Sequence, residues 1–180
     1  MLKFGPRDRL GTLLFNLSLA IRLGLPYRLA KTDAPEDLEL VSQFRHRELI
    51  SMLFSNLSIV EMNQGHFDKA EENLREALDL ARAIENRWLI SEVLCLWGEC
   101  YLKQGQWAQA STAILDVLKI APSEGTELLA TAHYGLARVL LAQGNMHEAR
   151  QEGQSSLSLF SSIDHRNAAV VTVWLHSLSQ

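Results

Sequence analysis

The stretch Leu94-x-x-Trp97-Gly98-x-x-Tyr101-x-x-x-Gly105-x-Trp107-x-x-Ala110-x-x-x-Ile114, followed by Pro122, decides how this chain folds. It sets a small residue, three aromatics, a glycine and an alanine at spacings that suit two short helices joined by a tight turn. Its parts recur along the chain. Ala30, Ala70, Ala110 and Ala149 stand forty, forty and thirty-nine residues apart. Leu17, Leu57, Trp97 and Leu136 keep the same beat, as do Ser18, Ser58, Gly98 and Ala137. So do Tyr27, Phe67, Trp107 and Met146, and then Leu38, Leu78, Leu118 and Leu157. Self-similarity at a period of roughly 20–50 residues marks stacked units, none of which can bury its apolar face alone.

Within residues 51–90, Leu53, Phe54, Leu57, Val60 and Met62 follow helical spacing until Gln64-Gly65 stops the segment. Gly65 can adopt the left-handed conformation that closes a helix, and Gly105 and Gly144 stand at matching places. A second helix is predicted from about Phe67, with Ala70, Leu74, Ala77, Leu78, Leu80 and Ala81 on its buried stripe. A short break near Ile84–Arg87 leads to the next unit. Each unit therefore reads as an antiparallel helix pair.

The small residues have a physical role in this reading. Helices cross at about 8–10 Å only where the side chains at the contact are small. Ser18, Ser58, Gly98 and Ala137 fall midway along the first helices, and the four alanines one turn into the second. The larger recurring residues, Trp97 and Trp107 among them, are expected to fill the space beside the crossing.

On these residues the chain resembles the tetratricopeptide repeat family. Residues 130–160 match as well, and residues 51–82 match except that Glu61 replaces the usual aromatic. The spacing of about forty resembles the long-repeat subclass. His46-Arg47-Glu48, Asp164-His165-Arg166 and Gly144-Asn145 further resemble repeats appended to bacterial NB-ARC-type signalling NTPases, although the chain holds no nucleotide-binding motif. The resemblance implies an all-α, right-handed superhelical α-solenoid of about four antiparallel helix pairs plus a capping helix. The expected division is a degenerate repeat at 8–48, repeats at 49–86, 87–124 and 125–163, and the cap at 165–179, all one array over 1–180.

The first unit departs from the pattern. Leu25 holds the turn-glycine place, with Gly24 one residue earlier, and Pro35 falls inside the expected second helix. Proline there removes a hydrogen bond and clashes with the preceding turn, so a break is predicted at Thr32–Pro35 with helix resuming through about Phe44. At the other end, Val171, Trp174, Leu175 and Leu178 form one stripe of a last helix from Ala168 to Ser179.

Composition narrows the function classes. The chain has 180 residues, a hydrophobic share of 47% and a formal charge of −4. That is enough apolar surface for a continuous core and the wrong balance for phosphate binding, so no nucleic-acid partner is expected. Residues 1–32 carry Lys3, Arg7, Arg9, Arg22, Arg28 and Lys31 against Asp8, a local +5 that leaves about −9 for the remainder. The apolar run Leu10 to Ile21 resembles a leader, but Asn16 interrupts it, and it fits the repeat position by position. No membrane span and no membrane partner are expected. The two cysteines, Cys95 and Cys100, lie five apart, about 500° around a helix, and are not placed to bridge. The expected location is cytoplasmic.

No residue set announces chemistry. His46, His66, His133, His147, His165 and His176 are scattered, without HExxH or CxxC, and no GxSxG, phosphate loop or GxGxxG occurs. Neighbouring carboxylates such as Glu71-Glu72 diverge by about 100° on a helix, which suits a solvated face better than acid–base work. The expectation is a noncatalytic chain with no metal and no cofactor. The family resemblance implies instead a concave face lined by the first helices that holds a peptide or partner protein. By repeat position its contacts would include Asn16, Asn56, Asn63, Glu99, Tyr134 and Arg138. An amide at Asn16 and Asn56 donates and accepts together, which suits a peptide backbone. The alternatives are a regulatory segment of an NB-ARC-type NTPase acting within its own chain, a helical enzyme, and self-association through the degenerate first unit.

Overall fold

The computed structural model describes residues 36–178, with side chains from residue 47 onward. Asn16, the basic cluster of residues 1–32 and the first helix of the degenerate unit lie outside the described residues. Seven helices follow one another among the described residues: α1 Glu36–Asn63, α2 Phe67–Ala83, α3 Arg87–Lys103, α4 Trp107–Ile120, α5 Thr126–Ala142, α6 Met146–Ser162 and α7 Asn167–Ser177. Each packs on its sequence neighbour, and α3 also touches α1 and α5. The described part is thus an all-α solenoid of helix hairpins, with α1, α3 and α5 side by side.

One expectation is corrected here. The expected helix end near Phe44 does not occur: α1 runs unbroken from Glu36 to Asn63. The segment Arg45-His46-Arg47-Glu48 contains neither glycine nor proline and has no residue that stops a helix.

The turns divide into two kinds. Within each hairpin a glycine takes a left-handed backbone, with φ of 78° at Gly65, 71° at Gly105 and 85° at Gly144. In two of the three turns between hairpins the same region is occupied by side-chain-bearing residues, Glu85 at φ 52° and Asp164 at φ 50°, whereas the turn between α4 and α5 has no such residue. Beyond the glycine turns, Ala70, Ala110 and Ala149 are fully buried, as are Ser58 and Ala137 opposite them. At Gly98 the approach is close, since a Cβ there would lie 2.7 Å from Ile114 Cγ1.

Bulk is traded across these contacts rather than repeated. Ile114 of α4 fills the space left by Gly98 on α3 and Gly135 on α5. At the next step the sizes reverse: Gly153 of α6 makes room for Trp174 and Leu175 of α7. A buried hydroxyl changes sides in the same way. Ser51 of α1 donates to the Ala77 carbonyl of α2 at 2.8 Å, whereas Ser156 of α6 donates to the Ala130 carbonyl of α5 at 2.7 Å.

Trp107 and Met146 were expected inside and are 39% and 44% exposed. Each begins a second helix just past the turn, and the Trp107 ring lies across the turn glycine, 3.7 Å from where a Gly105 Cβ would stand. Leu57, Phe67 and Trp97 do pack against the core, in the cluster of Leu74, Val93 and Cys100.

Candidate functional site

The first helices bring their recurring positions to one face. Between α3 and α5 a cleft of about 180 Å³ opens over Ile114, lined by Cys95, Leu96, Glu99, Thr131, Tyr134, Gly135 and Arg138 among others. Gly135 lets the cleft reach down to Ile114, because a Cβ there would stand 2.9 Å from Ile114 Cδ1. The floor is apolar and the rim is charged.

Three of the residues expected from sequence meet here. Arg138 Nη1 donates to Glu99 Oε2 at 2.6 Å, and both side chains are about one-third exposed. The Arg138 guanidinium also lies 5.8 Å from the Tyr134 ring centroid. Glu99 and Arg138 occupy the same rung of successive first helices, thirty-nine residues apart, which sets them side by side. Tyr134 in turn meets Trp174 of α7 edge-on, with centroids 5.6 Å apart. Burial pushes the Tyr134 phenol up, Arg138 opposes that shift, and Glu99 adds to it.

Asn56 and Asn63 are exposed on α1 and do not line the cleft. Beside them stand Met52 and Ile59, which are exposed as well. Trp174 belongs to the last helix's apolar stripe. It stands thirty-nine residues after Gly135, so its reach to Tyr134 was available from the repeat count.

One turn nearer the starts of α3 and α5 the face is acidic. Burial raises the Glu92 carboxyl above its ordinary value, and the Glu127 charge raises it further. Glu127 Oε1 lies 3.3 Å from His165 Nε2, in the turn that leads into α7. The half-buried Cys95 thiol faces the Leu128 carbonyl at 3.9 Å, and burial, with Glu92 nearby, pushes it up to about 12. A thiol so far above neutrality stays protonated and is a poor nucleophile.

The tetratricopeptide repeat pattern matches residues 49–123 and again residues 89–162. The chain belongs to the tetratricopeptide repeat family. Tetratricopeptide repeats are generally noncatalytic modules that bind protein or peptide partners, and the helix pairs of this chain form such a scaffold. A relative, the response regulator aspartate phosphatase A of Bacillus subtilis (strain 168), is 31% identical over 111 residues. That alignment covers 62% of this chain and 29% of the relative, so the chain spans less than a third of that protein's length. Among the described residues, no helix is long and apolar enough to cross a membrane. No group of three or more His, Cys, Asp or Glu there is arranged to hold a metal ion.

Proposed function

We propose that this repeat array binds a peptide or partner-protein segment along the face shared by α1, α3 and α5. The observation that carries this reading is the cleft at which Glu99, Tyr134 and Arg138 gather over an apolar floor. An extended segment crossing it would seat a small apolar side chain above Ile114. The polar groups of Glu99 and Arg138 would face its backbone, with Tyr134 as an aromatic wall. Asn56 and Asn63, exposed on α1, are proposed as further contacts, together with Asn16, which lies outside the described residues. Because Arg138 is already paired, its charge is largely spent, and the site does not act as a clamp for a terminal carboxylate. The division into units at 49–86, 87–124 and 125–163 belongs to this reading, with the array in the cytoplasm as a regulatory scaffold or sensor.

The test is affinity capture with the intact chain and with an Asn56→Ala/Arg138→Ala double variant. Loss of the captured partner in the variant is expected. Equal recovery by both would discard the face as the binding site.

The short coverage of the phosphatase relative favours a second reading, in which the array works as the regulatory portion of a longer signalling protein. A bacterial NB-ARC-type NTPase is the form that the long repeats suggest. An upstream reading frame encoding an NTPase would support it. Catalysis by the array itself is the weakest reading, and a hydrolase-substrate screen addresses it: turnover abolished by Glu99→Gln would overturn the noncatalytic assignment.

A further inference from the structure

Tyr134 walls the cleft between α3 and α5, yet its ring is held in part from α7. Trp174 meets the ring edge-on, with centroids 5.6 Å apart and planes at 87°. That perpendicular arrangement sets the positive edge of one ring against the negative face of the other. Tyr134 also packs against the buried cluster of Ala130, Phe160 and Val171, which joins α5, α6 and α7. Cys95 stands thirty-nine residues earlier on the same rung and faces the Leu128 carbonyl of α5, the next first helix. For Tyr134 the next first helix is α7, and Trp174 is the side chain it presents. A helical tyrosine has two open χ1 wells, so its neighbours choose where the ring lies. Arg138 is carried by α5 together with Tyr134, whereas Trp174 fixes the ring from outside that helix. The seat of Trp174 is built into α6: a Cβ at Gly153 would stand 2.7 Å from Trp174 Cζ3 and 2.9 Å from Leu175 Cδ2. α7 itself is only eleven residues long and packs chiefly on α6. His165 ties its start, stacking on Phe160 at 5.0 Å and reaching Glu127 at 3.3 Å. Arg150 of α6 donates to the Leu178 carbonyl at its far end. An element with so few partners belongs to the part of a fold that opens most readily.

We infer that Trp174 is a positioning residue for the cleft: seated against Gly153, it holds the Tyr134 ring as the cleft's wall and couples binding there to the docking of α7. The inference rests on the reading of the cleft as a binding site and adds a regulation of it. Trp174 does not line the cleft, so it acts through Tyr134. When α7 lifts, the ring loses its outer stop and the cleft binds more weakly. Coupling between two equilibria is reciprocal, so an occupied cleft holds α7 down by the same factor. The factor expected is that of one edge-to-face ring contact, about three- to tenfold. A change in the seat of α7 thus changes the cleft without touching its lining.

The probe is a fluorescein-labelled peptide selected from a random-sequence library on the intact chain and weakened by Arg138→Ala. It is titrated by fluorescence anisotropy against the wild type, Trp174→Ala, Trp174→Phe and Gly153→Ala, with circular dichroism confirming that each is folded. Trp174→Ala removes the stop, and Gly153→Ala pushes the indole off its seat from α6. Both are expected to weaken binding about three- to tenfold, while Trp174→Phe, which keeps an aromatic edge, stays within about twofold of the wild type. In the wild type the peptide is expected to slow hydrogen exchange of the α7 amides by the same factor as the loss in Trp174→Ala. Equal affinity in the wild type, Trp174→Ala and Gly153→Ala overturns the inference and leaves the cleft reading standing. Unchanged exchange in α7 on binding overturns it as well, and decides the matter alone should Trp174→Ala fail to fold. If the library yields no peptide that depends on Arg138, the cleft reading falls and this inference with it.

Discussion

At the scale of single residues, this fold is governed by how little room its crossings leave. Ala110 is fully buried, and its carbonyl lies 3.9 Å from where a Gly98 Cβ would stand. Ala110→Leu adds three carbons to a contact with no space for them, and a loss of about 1–3 kcal/mol is expected. A thermal melt that superimposes on the wild type would show that the alanine beat is not a packing constraint. The second residue-scale prediction concerns Glu92. Its carboxyl binds a proton at higher pH in the folded chain than in the unfolded one, through burial and then the Glu127 charge. Stability on this account falls as pH rises from the ordinary carboxylate value through the raised one, and is level above it. Glu92→Gln is therefore expected to melt higher than the wild type near neutral pH. The gain should shrink as pH is lowered through that window to about 4. A gain that persists in acid would assign the effect to packing instead of charge.

At the scale of elements, the turns separate what sequence reveals from what it conceals. Gly65, Gly105 and Gly144 announce their helix ends because a left-handed backbone costs other residues about 1–2 kcal/mol. Glu85 and Asp164 adopt the same backbone between hairpins and carry no comparable mark. The two turn types predict opposite outcomes for exchanging the residue. Gly105→Ala is expected to lose about 1 kcal/mol, and Glu85→Gly to gain up to about that amount. Chemical denaturation of both variants measures this; a destabilised Glu85→Gly would mean that the glutamate side chain makes up for its strained backbone. The unbroken α1 was illegible for the converse reason. Counting repeats placed a junction at residues 45–48, but nothing in Arg45-His46-Arg47-Glu48 terminates a helix, and local chemistry prevailed over periodicity. The site was partly legible. Equal register places Glu99 beside Arg138 once the repeat is known, and their opposite charges do the rest. The depth of the cleft was hidden, because it depends on which side of each crossing carries the bulk.

At the scale of the whole molecule, stability in a stacked array is a sum of unit terms and neighbour terms, so a residue shared by two interfaces controls cooperativity as well as total stability. Ile114 is such a residue. It is almost fully buried, it occupies the space offered by Gly98 within its own hairpin, and it occupies the space offered by Gly135 in the next. Its neighbours Leu102, Val117, Ala132 and Val139 belong to one cluster that joins α3, α4 and α5. Ile114→Ala is expected to cost about 2–5 kcal/mol, the usual range for a large buried aliphatic cut to a methyl. The distribution of that loss is the sharper expectation. Neither glycine can fill the void, so the contact between α4 and α5 weakens more than either hairpin does internally. Residues before and after it should then unfold in separate steps. Leu74→Ala, in the core cluster shared by α1, α2 and α3, removes comparable bulk away from that contact and should leave it intact. Urea unfolding followed by hydrogen exchange distinguishes the two. The Ile114 variant should show two transitions, with the amides of α5 and α6 exchanging as a block apart from those of α1 and α2. A single transition of unchanged slope, merely shifted to lower urea, would mean that coupling along the array does not pass through this side chain.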